Sequence, residues 1–324
     1  MKKITPLLLL FISYYNSFAQ GSYPPDASSI GTTAIHKDSS IFVSWAATCQ
    51  INRGWQNSLN TSLGRASSGT SSNAIGKSGI NGTVSLGDNG EAILSFEHPI
   101  INGIGFDFAV FENAFNHTFL ELAFVEVSTN GTDFVRFPSY SQTQTVNQVG
   151  GFEELDPTNI HNLAGKYMVG YGTPFDLEDL VDSTLVDINN INYIKIIDVI
   201  GIVNNPLASI DNNSTPINDP YPTPYATSGF DLDAIGVIHQ FISIQQNEEL
   251  VTTIYPNPSS GMFTIKFNNS DLKNIALINS LGEIVINEST TTKSYYFNQN
   301  ISSGIYILRT KIKEKTMFNK IIIQ

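Results

Sequence analysis

Cysteine is almost missing from this sequence: Cys49 is the only one in 324 residues. No internal disulfide can form, so core packing, with or without a bound metal, must carry stability. The single thiol reads first as a small buried hydrophobe and only second as a nucleophile. Charge is also scarce, at 14% of residues against the usual quarter. Between residues 21 and 247 there are 7 Lys and Arg against 23 Asp and Glu, a net charge of -16. Phosphate backbones need Lys and Arg, so nucleic acid is excluded as a partner of this stretch. Bound cations and plain solubility both remain compatible with it. Residues 254–324 reverse the sign, with 8 basic and 4 acidic residues, and a break of this kind marks a domain boundary. No apolar run approaches the roughly 18 residues that a membrane-crossing helix needs. Catalytic signatures are absent as well: no Gly-x-Ser-x-Gly, no His-Glu-x-x-His, no phosphate loop and no dinucleotide fingerprint. The five histidines are not paired at metal-ligand spacing. Carboxylate pairs suited to glycoside hydrolysis can be drawn from many positions, and only geometry can choose among them.

What is present begins with an address. Lys2-Lys3, the apolar run Leu7–Ile12 and Ser17-Phe18-Ala19 make a secretory signal peptide over residues 1–19, leaving Gln20 first. No cysteine follows the cleavage point, so a lipoprotein anchor is excluded. Gly, Ser, Thr and Asn are abundant, as befits many turns between short strands.

Residues 20–247 read as strands and turns, an all-β domain of jelly-roll-like sandwich type. Glu91–Phe96, Ile104–Phe111 and Leu120–Ser128 alternate; Asn130-Gly131 signals a hairpin into Phe134–Phe137. Tyr193–Ile200 and Phe230–Ile238 are continuous apolar runs. Only Leu155–Leu163 and Asp176–Val181 look helical, with Asp176 a candidate cap. Residues 204–227 form a long polar loop. Acidic residues interrupt these strands: Asp107, Glu112 with Asn113, Glu126, Asp198, and the pair Asp231 and Asp233 on one face. A buried carboxylate is costly unless paired or metal-bound. With so few cations in the domain, calcium held by these seven side chains is the expectation. The alternative is that they cap turns or accept backbone N–H groups. Trp55, Tyr221 and Tyr225 are candidate ligand-stacking residues, whereas Trp45 reads as core. Asp182-Ser183-Thr184 fits a short bacterial O-glycosylation motif.

Two resemblances add to this. Tyr255-Pro256-Asn257-Pro258 with Gly261, Asn279-Ser280-Leu281-Gly282, and Gly304-Ile305-Tyr306-Ile307-Leu308-Arg309 fall in order within regularly spaced short strands. The segment from about residue 253 resembles the type A sorting domain of the type IX secretion system of Bacteroidota. That implies a small Ig-like sandwich over residues 248–324, contact with the type IX machinery, and export to the cell surface or beyond. Gly105–Asn113 and Gly229–Val237 resemble the motifs of a loosely defined family of bacterial surface proteins, over about residues 42–239. Some of its members look like companions of cobalamin uptake systems, which implies a corrinoid as one ligand. Three readings stay open: a calcium-stabilised, non-catalytic binding module for a glycan or cobalamin; a secreted polysaccharide hydrolase or lyase; and a structural or adhesive surface protein.

Overall fold

The computed structural model describes residues 21–241, 251–268, 270–313 and 315–324. The signal segment and the expected boundary at 247/248 lie outside them. The chain divides into two units, one up to Ile242 and one from Ser243.

Thirteen strands build the first unit. In chain order they are β1 (Ile35–His36), β2 (Ser44–Trp45), β3 (Thr48–Asn52), β4 (Val84–Ser85), β5 (Glu91–Ile100), β6 (Phe108–Glu112) and β7 (Ala123–Ser128). The rest are β8 (Val135–Arg136), β9 (Tyr140–Ser141), β10 (Ile160–His161), β11 (Tyr171–Phe175), β12 (Ile191–Asp198) and β13 (Asp231–Val237). Two antiparallel sheets face each other, ordered β1-β11-β6-β13-β2, with β4 also on β13, and β3-β5-β12-β7-β8. The early strand β2 pairs with the last strand β13, as the chain ends do in jelly rolls. Their inner faces interdigitate through Phe108, Val110, Val125, Val127, Ile194, Ile196, Leu232 and Ile235.

The alternation shows its consequence on β7. Ala123, Val125 and Val127 enter the main core. Phe124 lies in a second cluster with Leu120, Leu122 and Leu163, beneath the covering loops. Both faces of the strand are therefore buried. Strand bounds shift for local reasons. β5 runs on through Pro99, because a bulge opposite it between Ile191 and Tyr193 spares a proline with no N–H to donate. Residues 102–106 form a turn rather than strand, and β6 begins only at Phe108. The two expected helices shrink to 3₁₀ turns, Pro157–Asn159 and Leu177–Leu180; Asp176 does cap the second, accepting from Glu178 N–H. Ile160 and His161 are instead drawn into strand pairing with β9. The Asn130-Gly131 hairpin joins β7 to β8 as expected.

The second unit is a sandwich of its own. Its strands are β14 (Val251–Tyr255), β15 (Met262–Phe267), β16 (Lys273–Ile278), β17 (Ile284–Thr290), β18 (Ser294–Asn298), β19 (Gly304–Ile312) and β20 (Lys315–Ile323). They form sheets β14-β15-β18 and β17-β16-β19-β20. Phe263, Ile265, Leu277, Phe297, Leu308 and Ile321 fill the space between. Phe263 and Phe297 are cross-strand partners with rings stacked at 4.6 Å.

Candidate functional site

Antiparallel pairing brings four chain segments to one end of the first sandwich. Glu112 closes β6 opposite Leu232 of β13, so Asp231 lies beside it. Asp198 closes β12 opposite Ala123, two residues after Glu121. Loops from this end bring Asp88 and Asp219 into the same neighbourhood. Their backbone anchors are specific. Asp198 accepts from Asn89 N–H (3.1 Å) and Phe230 N–H (2.6 Å), and Asp219 from Leu122 N–H (3.1 Å). Glu112 accepts from Ala114 N–H (2.6 Å), and Asp231 from the Ser85 hydroxyl. Gly229 makes the Asp198 clamp feasible. Its φ is +70°, and a Cβ there would lie 2.4 Å from Asp198 Oδ1.

Burial dominates the electrostatics. It pushes the carboxyls of Glu112, Glu121, Asp198 and Asp219 well above their ordinary range, and each is pushed further by carboxylates nearby. Asp231 is raised by burial to about 6, held from going higher by the Ser85 hydroxyl and the Arg53 guanidinium. Among the described residues no hydrogen bond or ion pair reaches the Glu121 carboxyl.

Glu121 and Asp231 line a cavity of about 220 Å³ whose other walls are Phe115, Phe119, Gly151, Phe152, Thr223, Tyr225 and Thr227. The aromatic rings touch in series: Phe115 to Phe119 at 5.6 Å, Phe119 to Phe152 at 6.3 Å, Phe152 to Tyr225 at 5.8 Å. Phe115 and Phe152 are 75% and 73% exposed, and Tyr225 49%. Three loops supply this arc, after β6, after β9 and before β13. Gly151 lets the last two close up, since a Cβ there would lie 2.3 Å from Pro222 O.

Of the residues expected at a metal site, Glu112, Asp198 and Asp231 share this end of the sandwich, whereas Asp107, Glu126 and Asp233 are engaged elsewhere. Asp107 stands five residues before Glu112, roughly 16 Å along the strand and at the opposite end. Its carboxylate is occupied by Gly103 N–H (2.7 Å), Leu177 N–H (2.7 Å) and His239 Nδ1 (2.8 Å). Glu126 is neutralised by Arg136 at 2.9 Å and Lys195 at 2.8 Å. Asp233, next to the bulge in β13, accepts from the Ser78 hydroxyl (2.5 Å) and Gly79 N–H. Asn113 flanks Glu112 without joining such a cluster. Among the described residues no three His, Cys, Asp or Glu are arranged to hold a metal ion.

The stacking candidates divide in the same way. Tyr225 is in the arc. Tyr221 is 5% exposed, closes a cluster with Ile200 and Ile202, and donates to Asn57 Oδ1 (2.7 Å), so its face is not open. Trp55 carries the Arg65 guanidinium 3.7 Å over its ring. Trp45 packs on Phe42 and Phe111, as expected of core. Sequence reasoning passed over Glu121, Asp219, Phe115, Phe119 and Phe152. The available signal was three phenylalanines in loop segments with no alternation, where no buried strand face accounts for them.

In the second unit the Tyr255–Gly261 motif fastens the chain end. Asn257 Nδ2 donates to Lys320 O (2.7 Å), and Ile322 N–H donates to Asn257 Oδ1 (2.8 Å). Ser259 N–H donates to Ile322 O, and Gln324 N–H to Ser259 O. Pro256 and Pro258 bracket Asn257; Gly261 takes φ +93° at the turn into β15. Tyr306, beside Gly304 at the start of β19, is nearly buried and donates to Ser302 O (2.9 Å). This segment matches the family of secretion system C-terminal sorting domains over residues 253–324.

Residues 253–324 are a type IX secretion sorting domain.

The chain is accordingly exported to the cell surface or outside, and its tail engages the type IX machinery. Among the described residues no helix is long and apolar enough to cross a membrane. No curated protein matches the chain. Among solved structures it is similar to PorZ, a surface component of the type IX secretion system of Porphyromonas gingivalis. That likeness has 15% identity and a TM-score of 0.22, over 28% of this chain and 14% of that one. It is also similar to a β-glucuronidase from Ruminococcus gnavus bound to D-glucuronic acid, at 12% identity and a TM-score of 0.20, over 88% and 45% of the two chains. The sequence thus spans less than half of either structure, and likenesses this distant bear on neither fold nor activity.

Proposed function

We propose that the exported domain is a non-catalytic binding module of the cell surface, with its ligand seated in the aromatic-rimmed acidic pocket. One observation carries this reading: the contiguous arc of Phe115, Phe119, Phe152 and Tyr225 over Glu121 and Asp231. Single exposed apolar residues need no explanation, but a stacked group around a concavity marks a recognition surface. Of the two ligands suggested by the sequence, a single terminal sugar suits a 220 Å³ cavity and a corrin macrocycle exceeds it. Aromatic faces stack on a pyranose while the carboxyls accept from its hydroxyls. Calcium stays in the proposal as a stabilising ion, although the described residues bring no three acidic or histidine ligands together to hold it.

The test is a paired thermal-shift panel of mature protein and its Phe152→Ala variant against neutral, acidic and amino sugars, cobalamin, Ca²⁺ and EDTA. A ligand at a hundred times its Kd adds about 2.7 kcal/mol, or several degrees. The expected result is a sugar-dependent rise that Phe152→Ala removes, and a fall with EDTA. An unchanged midpoint in EDTA eliminates calcium, and no response to any sugar eliminates the glycan reading.

A specific feature favours a second reading, glycan hydrolysis: Asp231, raised to about 6 and lining the same cavity as Glu121, keeps its proton into mildly acidic pH, as a general acid working there must. Turnover of a glycan that is abolished by Asp231→Asn would support it.

A further inference from the structure

We propose that the group entering this pocket is an organic cation, an ammonium carried by an amino sugar or a quaternary amine. The inference rests on the binding reading above and names the chemistry of that site. No Lys, Arg or His lines the cavity. Its lining combines two carboxyls with four aromatic rings that neighbour one another in series. Aromatic faces carry negative electrostatic potential and attract a cation over the ring centre, most strongly where water is excluded. A neutral sugar would meet the rings and hydrogen-bond to the carboxyls but leave their charge without a counter-ion; an anion would meet repulsion from both. The cavity suits a group the size of a trimethylammonium or one amino sugar. Arg53, whose charge reaches Asp231, is spent elsewhere: its guanidinium donates to the carbonyls of Ser68, Gly69 and Ser85.

The surroundings add to the negative field: Glu112, Asp231, Asp219 and Asp198 all face Glu121 and repel its charge, so the cavity favours a cation.

Isothermal titration of the mature full chain tests this with matched pairs: choline against its neutral isostere 3,3-dimethylbutanol, and glucosamine against glucose. The two cations separate the two sources of ammonium. The expected result is that at least one cation binds tenfold or more tighter than its neutral partner and loses tenfold or more of its affinity in Glu121→Gln. Phe152→Ala should weaken it similarly; that ring is largely exposed, so folding is spared. Equal affinity for charged and neutral partners overturns the inference while leaving the pocket as a binding site. So does cation binding that Glu121→Gln leaves unchanged. No heat with any of the four ligands overturns it as well.

Discussion

Asp198 is buried to 1% exposure and holds two backbone N–H groups, one from the loop before β5 and one from the segment entering β13. Truncation strands both donors in a dry site, at about 1–3 kcal/mol for each unsatisfied group. Asp198→Ala should therefore lower stability by about 2–5 kcal/mol in urea titration, and Asp198→Asn by less, since its amide oxygen still accepts. Asp231 gives a pH dependence with a definite sign. Its folded pKa of about 6 lies above its ordinary 3.8, so the folded state binds the proton more tightly. The stabilisation is complete below about 3.8 and is lost as pH rises through about 6. At about 1.4 kcal/mol per pKa unit it amounts to about 3 kcal/mol at most. Glu112, Glu121, Asp198 and Asp219 act in the same direction. The melting midpoint should fall between pH 5 and pH 7.5, and Asp231→Asn should reduce that fall. A flat profile would show that the carboxyls are ionised and already compensated.

At the scale of elements, Asn257 is the fastener of β20. It is exposed, yet it exchanges two hydrogen bonds with Lys320 and Ile322 across more than sixty residues of chain. Asn257→Ala should cost about 1–3 kcal/mol. Hydrogen exchange should locate the loss in residues 315–323 and leave β6 and β13 unchanged; uniform acceleration would contradict a local role. The tail was the most legible part of the chain, because its short strands are regularly spaced and the motifs at 255–261, 279–282 and 304–309 fall in order between and within them. In the larger domain the period-2 pattern located β6 and β7, and continuous apolar runs located β12 and β13, but neither signal gave their faces. β7 is buried on both sides, so alternation could not say which face packs on the opposing sheet. Asp176 was recognised as a cap, while Leu155–Leu163 was misread because a single Pro157-initiated turn resembles a helix start. The acidic interruptions were visible as costly, but their remedies differ with place: an ion pair for Glu126, backbone donors for Asp107 and Asp198. Which remedy applies depends on strand register, and register is not written in any one segment. The pocket's phenylalanines come from loops, where no periodicity announces them.

The whole molecule couples an acidic cargo to a basic address. Export by the type IX route places the aromatic arc in the extracellular medium. Expression in the native host of a chain ending at residue 252 should abolish its appearance on the surface and in the medium, with the signal peptide still removed. Fractionation with immunoblotting checks this, and undiminished surface protein would contradict the tail's role. The binding claim is tested most directly by ¹³C–¹H aromatic NMR of mature protein titrated with the best ligand from the thermal panel. The account predicts shifts confined to Phe115, Phe119, Phe152 and Tyr225, with Trp55 and the rings of residues 253–324 unmoved. Shifts centred on Trp55 or on the sorting domain, with the arc silent, would contradict it.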